Sequence, residues 1–205
     1  GVLMTGAEPP HPDKLKKQGG VLPQPLAQTL AQVLGVIHKN HPLTEASVST
    51  YQTVASAGMT AVEDVANKSV ALLGGAAADD EDKSHLFAYQ AAFNVLPQVG
   101  EFLENGQTIT EENIATDFKS LLEANIPLSV SCAYVPIFVG DGLDVSLRFN
   151  AETAPDAQKI RDLFSPASGV MVLDNPDEHE YATPYGAAET SYVFLSRVRQ
   201  DGAFK

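Results

Sequence analysis

Apolar residues recur at helical spacing from Pro25 onward: Leu26, Leu30, Val33, Leu34 and Ile37 share one face, and Pro25 suits a first helical position. From Leu43 to Val54 the period shortens towards two (Ala46, Val48, Thr50) and β-branched residues accumulate, which predicts a strand. A second helix is predicted from about Ser56 to Leu73, with Met59, Val62, Val65, Ala66 and Val70 as its apolar stripe and Gly74-Gly75 as its stop. A third is predicted from about Glu111 to Ala124, capped by Thr108 or Thr110. Two strands follow, Leu128 to Val139 and Leu143 to Phe149. Pro155 and Asp156 then open a helix that turns Ala157, Ile160, Leu163 and Phe164 inward. Gly169 to Asp174 reads as a short buried strand, and Ser191 to Arg199 as a last one with Tyr192, Phe194 and Ser196 on one face. Strands interleaved with helices indicate an α+β fold of α/β-like appearance, with a mixed, largely antiparallel sheet packed by helices. Residues 1–24, holding four of the 13 prolines, read as an extended linker; residues 25–205 read as one domain.

Composition removes several classes of function. Thirteen basic against 26 acidic residues give a formal net charge of −13, which repels a phosphate backbone, and the short cluster Lys14, Lys16, Lys17 is a solvated loop; nucleic-acid binding is not expected. No apolar run approaches the roughly 20 residues of a membrane span, and nothing at the start resembles a signal peptide. A single cysteine, Cys132, allows neither an internal disulfide nor a multi-cysteine metal site. These features predict a soluble, cytoplasmic protein, and the absence of an initiator methionine suggests a processed or excised chain.

Local chemistry is sparse. Ser56-Ala57-Gly58 and Gly140-Asp141-Gly142 lack the glycine spacing of a phosphate-cradling loop, so no nucleotide cofactor is expected in this chain. His11, His38, His41, His85 and His179 form no helical pair, and zinc is not expected; His38 and His41 suit a helix C-terminus. Asp79-Asp80-Glu81-Asp82 lacks the ligand offsets of a calcium loop and reads as solvated surface. Cys132, inside the apolar strand pattern Val130 to Pro136, reads as a small packed hydrophobe rather than a nucleophile.

Longer strings are more specific. Ser49-Thr-Tyr-Gln-Thr-Val-Ala-Ser-Ala-Gly58 resembles the Ser-Thr-Tyr-Gln-Ala-Val-Ser-Gly-Ala-Gly segment of aspartate-semialdehyde dehydrogenases. Ala92-Phe-Asn-Val-Leu-Pro-Gln98 with Asn105-Gly106 and Thr110-Glu-Glu112, Val130 to Pro136 with Gly140, and Asp174-Asn-Pro176 with Tyr181-Ala-Thr-Pro184 and Val193 to Asp201 follow the same family in order. The resemblance spans roughly 180 residues and implies the family's C-terminal dimerisation domain. In that family an N-terminal Rossmann domain binds NADP, a cysteine attacks the aldehyde, and phosphate cleaves the thioester. The C-terminal domain supplies an orienting glutamine, a carboxylate-binding arginine and a base histidine, and builds a homodimer through its sheet.

The resemblance also says what each catalytic position holds. Gln52 matches the glutamine. Tyr134 stands at the arginine position and cannot make a bidentate, charge-assisted pair with a carboxylate. Asp141 stands at the histidine position, where an ordinary carboxylate is a poor acceptor for a thiol proton. Pro25, in Leu22-Pro-Gln-Pro25, stands where Asn-Pro-x-Cys places the nucleophile. Glu111 and Glu112 match the acidic part of a Glu-Glu-x-Lys helix start whose lysine falls on Asn113 or Ile114, and Glu111 also suits a first helical turn. The set resembles the Usg-type paralogues. It implies a homodimerising domain without semialdehyde dehydrogenase activity and without a catalytic set of its own. The alternatives are an enzyme with altered chemistry at Gln52, Tyr134 and Asp141, working with an NADP-binding domain, and a module that binds a small metabolite.

Overall fold

A computed structural model describes residues 2–5 (their backbone path and pairing), 23–77, 86–164 and 169–202. Helix α1 (Pro25–Asn40) starts on its proline and buries Leu26, Ala27, Leu30, Val33, Leu34 and Ile37, as the spacing predicts. Its apolar side and that of α3 (Ile109–Leu122) meet in one core with Phe118 and Ile114, and the Gln24 amide donates to Asp117 Oδ2 of α3 at 2.7 Å. His38 does more than face a helix dipole: its Nδ1 accepts the Leu43 N–H at 3.0 Å and shapes the turn into the next strand.

Among the described residues the main sheet has six strands, in the order β3 (Leu128–Val135), β2 (Leu43–Thr53), β4 (Asp141–Phe149), β1 (Val2–Thr5), β8 (Val193–Ser196) and β5 (Val170–Val172). Strand β2 (Leu43–Thr53) pairs in parallel with β3 (Leu128–Val135) and antiparallel to β4 (Asp141–Phe149). Strand β1 (Val2–Thr5) runs antiparallel to both β4 and β8 (Val193–Ser196), and β5 (Val170–Val172) closes the far edge parallel to β8. This is the mixed, largely antiparallel sheet that the sequence predicts. Residues 2–5 depart from the predicted linker 1–24, because a chain with no apolar period of its own still satisfies its backbone groups between two strands. The basic cluster and the acidic run lie outside the described residues.

Alternation in β2 separates two faces. Ala46, Val48 and Thr50, with Val130 and Cys132 of β3 and Leu143 and Val145 of β4, are buried beneath α1 and α3. Ser47, Ser49, Ser129, Ser131 and Ser146 point to the opposite face and are exposed. At the β8 end that second face is covered: Phe194 packs with Ala182 and with Ala187 of the short helix α5 (Pro184–Ala187). Burial on both faces explains why all four β8 residues, not one face alone, are inaccessible.

Other boundaries move for local reasons. The second helix, α2, runs Met59–Leu73, after a 3-10 turn at Val54–Ala57 and Gly58 at φ 102°. Its buried side is Ala61 and Val65, packed near Ala91, Ala92 and Leu96; Met59 and Val70 are exposed, contrary to the predicted stripe. Thr108 caps α3 in a reciprocal box with Glu111. Strand β3 ends at Val135, since Pro136 has no amide to donate, and β8 ends at Ser196 because Arg197 takes φ 57°. Helix α4 (Ala157–Asp162) is capped by Asp156 and buries Ile160. A hairpin of β6 (Asp174–Asn175) and β7 (Glu180–Tyr181) leads to α5. Among the described residues, no helix is long and apolar enough to cross a membrane.

Candidate functional site

Strands β2 and β3 run in parallel and therefore end on the same edge of the sheet, where β4 begins. Their register sets Gln52 directly beside Tyr134, and the Thr53 N–H donates to Asp141 Oδ1 at 2.8 Å. Three of the positions singled out from the sequence thus converge on one rim. Thr53 fastens that rim a second way, since its hydroxyl donates to the Ile137 carbonyl at 2.7 Å and accepts from the Ala55 amide at 3.2 Å.

Gly140 fixes the approach to Asp141. It adopts φ 70°, and a Cβ there would collide with the Pro184 carbonyl at the start of α5, so only glycine lets the two segments come so close. Burial pushes the Asp141 carboxyl above its ordinary range, and the Thr53 hydrogen bond opposes this only in part.

Tyr134 is half-buried and held on several sides. Its ring meets Phe87 edge to face with centroids 5.3 Å apart, and its backbone forms an isolated bridge with Leu96. Burial raises its phenol pKa; a hydrogen bond with Ser56 lowers it again, and the charges of Asp141 and Cys132 act in the upward direction. A neutral phenol that can both donate and accept therefore occupies this place. Gln52 is 6 % exposed, and its Nε2 donates to Thr50 Oγ1 at 3.1 Å.

Cys132 lies one layer deeper, opposite Thr50 in the ladder, and is 2 % exposed. Burial pushes its thiol up to about 11; hydrogen bonds from Thr50 and Gln52 lower it and the charge of Glu111 raises it. Such a thiol is a packing group, as its strand pattern predicts. Glu111 is buried beside it with both oxygens in use. Oε2 accepts the Thr108 amide at 2.7 Å and Oε1 accepts the Cys132 amide at 2.8 Å, so this carboxylate ties the first turn of α3 to the middle of β3.

The remaining positions separate from the rim. Ile114 is fully buried in the main core and presents nothing to a ligand, whereas Asn113 is half-buried on α3. Pro25 is exposed at the start of α1, where its carbonyl accepts the Thr29 hydroxyl at 3.2 Å, and the neighbouring Gln24 amide donates to Asp117 of α3. Thr50, Ser56 and Phe87 belong to the site's surroundings without having been singled out from the sequence. Thr50 and Ser56 lie inside the Ser49–Gly58 string; Phe87 carries no signal at all.

A mixed sheet backed by two helices on one face, with a polar rim at the shared end of parallel strands, defines an α+β domain of the kind found in aspartate semialdehyde dehydrogenases. Residues 34–205 match the family described as semialdehyde dehydrogenase, dimerisation domain, and the chain belongs to that family. It is similar to the aspartate-semialdehyde dehydrogenase of Aquifex aeolicus, 32% identical over 200 residues that make up 95% of this chain and 57% of that protein. The Bacillus subtilis protein of the same name is 30% identical across 91% of this chain and 56% of its own length. Among solved structures, a probable aspartate-semialdehyde dehydrogenase from Pseudomonas aeruginosa superposes with TM-score 0.80 at 26% identity, covering 98% of this chain and 58% of that one. Aspartate semialdehyde dehydrogenase II from Vibrio cholerae superposes at 0.79 and 25% identity, covering 88% and 52%. The chain spans a little over half the length of the relatives it matches.

Proposed function

We propose that this chain is a self-associating domain of an aspartate-semialdehyde-dehydrogenase-like protein that does not carry out the semialdehyde dehydrogenase reaction. The observation that carries this reading is the rim itself. Gln52, Tyr134 and Asp141 keep one another's company, yet two of the three positions hold residues with the wrong chemistry. A phenol does not hold a substrate carboxylate by charge, and a carboxylate at the base position repels both a thiolate and an anionic substrate. Pro25 adds that no thiol stands where the family places its nucleophile.

A chimera tests the catalytic part. Residues 23–202 replace the matching portion of the Aquifex aeolicus enzyme, and NADP-dependent turnover of aspartate semialdehyde is measured. The chimera is expected to be inactive, and the triple variant P25C/Y134R/D141H to regain activity. Turnover by the chimera without these changes refutes the reading.

Self-association is expected through the exposed sheet face of Ser47, Ser49, Ser129 and Ser131. Small side chains there let a second sheet approach closely. Sedimentation is expected to give a dimer at micromolar concentration, and S49R/S131R a monomer. A monomeric parent chain removes this part of the proposal.

A second reading is favoured by the same rim. Gln52, Tyr134 and Asp141 can accept hydrogen bonds, so a retained pocket would suit a ligand that donates them, such as a primary ammonium, over a carboxylate or phosphate. A thermal-shift series of amino acids, simple amines and acyl phosphates tests it: stabilisation by amines that D141N removes supports binding, and no response across the series overturns it.

A further inference from the structure

Asparagine followed by glycine occurs once in the chain, at Asn105-Gly106; the other seven asparagines precede His, Lys, Val, Ile, Ile, Ala and Pro. The pairing matters chemically. An asparagine carboxamide carbon can close a five-membered ring with the next backbone nitrogen, and a Cβ on that next residue crowds the approach. Glycine has no Cβ. The fold presents this pair at the tip of a three-residue hairpin loop. Leu103 and Gln107 close it: the Leu103 N–H donates to the Gln107 carbonyl at 2.7 Å, and the Gly106 N–H donates to the Leu103 carbonyl at 3.0 Å. Gly106 takes φ 85°, the left-handed conformation that such a loop places at its last position. Glu104, Asn105, Gly106 and Gln107 are all exposed, and a Cβ on Gly106 would meet no atom within 4 Å beyond its chain neighbours, so water and hydroxide reach the site.

Folding also restrains the reactive atoms. Asn105 Nδ2 donates to Gln107 Oε1 at 2.9 Å, and its Oδ1 accepts the Gln107 N–H at 3.0 Å. The Gly106 nitrogen that must attack is itself a donor in the closed loop. Reaction therefore requires the loop to open, and its rate is the intrinsic rate multiplied by the open fraction.

We propose that Asn105 is a modification site, cyclising spontaneously onto Gly106 at a rate set by opening of the Leu103–Gln107 loop. Hydroxide takes the proton from the Gly106 nitrogen, which attacks Asn105 Cγ. The N–Cγ bond forms, the Cγ–Nδ2 bond breaks, and ammonia leaves with its third hydrogen taken from water, giving a cyclic imide. Water then opens the ring in one of two ways. Cleavage of the N–Cγ bond gives aspartate. Cleavage between that nitrogen and the Asn105 main-chain carbonyl carbon gives isoaspartate, whose main chain runs through Cβ and Cγ and is one atom longer. The longer chain no longer fits the ladder that closes the loop. Next to that ladder Phe102 bridges Thr108, which caps α3 with Glu111, so the change falls at the entry to the brace on Cys132. The inference does not depend on the proposed function, since the loop contributes no residue to the Gln52 rim.

Incubation of the 205-residue chain at mildly alkaline pH, folded and in urea, tests it, with peptide mapping by mass spectrometry and isoaspartate measured by enzymatic methyl transfer. Aspartate and isoaspartate are expected at Asn105 ahead of the other asparagines, forming about tenfold more slowly in the folded chain than in urea. Q107A removes the side-chain hold on Nδ2 and is expected to speed the folded reaction about threefold, with the rate in urea unchanged. N105Q would need a six-membered ring and is expected to yield no product at that site. In the isoaspartate-bearing fraction, amide exchange at Leu103 is expected to rise about tenfold, while N105D keeps the parent value. Earlier modification at another asparagine, or no folded-state product at Asn105 over a span that allows for the slowing, overturns the site. Equal rates in the folded chain and in urea, or no response to Q107A, overturn control by the loop. Unaltered exchange at Leu103 in the isoaspartate form overturns the effect on the ladder.

Discussion

Replacing Glu111 by alanine tests a bracing role for a residue that the family resemblance places in an acidic helix start. In the folded chain its two oxygens accept the Thr108 and Cys132 amides at 2.7 and 2.8 Å, inside a site 9 % exposed. Alanine removes both acceptors and leaves two buried donors that no water readily reaches. An orphaned buried donor costs about 1–3 kcal/mol, and bonds to a charged acceptor lie at the upper end. Part of that loss is offset, because the variant no longer buries a carboxylate. The net destabilisation expected is about 3–4 kcal/mol, larger than the roughly 1 kcal/mol of an ordinary helix cap. Glutamine keeps one acceptor and turns an NH₂ towards the other donor, so E111Q should fall between the two. Urea unfolding followed by circular dichroism measures the differences, with the slope m compared to confirm that the same unfolded state is reached. A loss below about 1 kcal/mol in E111A, at unchanged m, would refute the bracing role.

Three further outcomes follow from the same geometry. Asp141 has a folded pKa above its unfolded value, so the folded form binds the proton more tightly and stability falls as pH rises from about 4 through the raised folded value; D141N should abolish that slope and be the more stable protein at pH 7, as urea midpoints across pH 4–8 will show. Cys132, with its thiol pushed up to about 11 and almost no exposure, should react with iodoacetamide only as fast as the protein opens; labelling that outpaces amide exchange at Val130 contradicts this. Asp174, its side chain 2% exposed, pairs with Arg161 Nε at 2.8 Å and accepts the Arg197 and Val198 amides, so D174A should lose about 2–3 kcal/mol because a half-buried guanidinium and two amides lose their partner; a loss under about 1 kcal/mol in calorimetry counts against that clamp.

The legible part of the fold is the part written in local periods. The spacing of Leu26, Leu30, Val33, Leu34 and Ile37 reports α1, and alternation from Ala46 to Thr50 reports β2, because a helix stripe and a strand face each need only one buried side. Met59 and Val70 satisfy a helical period yet face outward, since periodicity does not state which side a small subdomain buries. The strand at Val2–Thr5 was hidden for the opposite reason: its place depends on a gap between β4 and β8, which no window of adjacent residues records. At the rim, Gln52, Tyr134 and Asp141 were found through ordered motifs rather than their own chemistry. Phe87 and Ser56 met Tyr134 only through folding. The positive φ of Arg197, which ends β8 early, has no residue-level signal either, being held by Asp174 from 23 positions away.

The parallel pairing of β2 and β3 also decides where substitutions act. Because the two strands finish at one edge and β4 starts there, the residues open to chemical change occupy a single border, while Val48, Val130 and Leu143 lie inward of it along the same strands. Side chains on the border can be exchanged with little effect on packing at the centre. Substitutions along that border can therefore change what the rim presents while the core beneath keeps its packing.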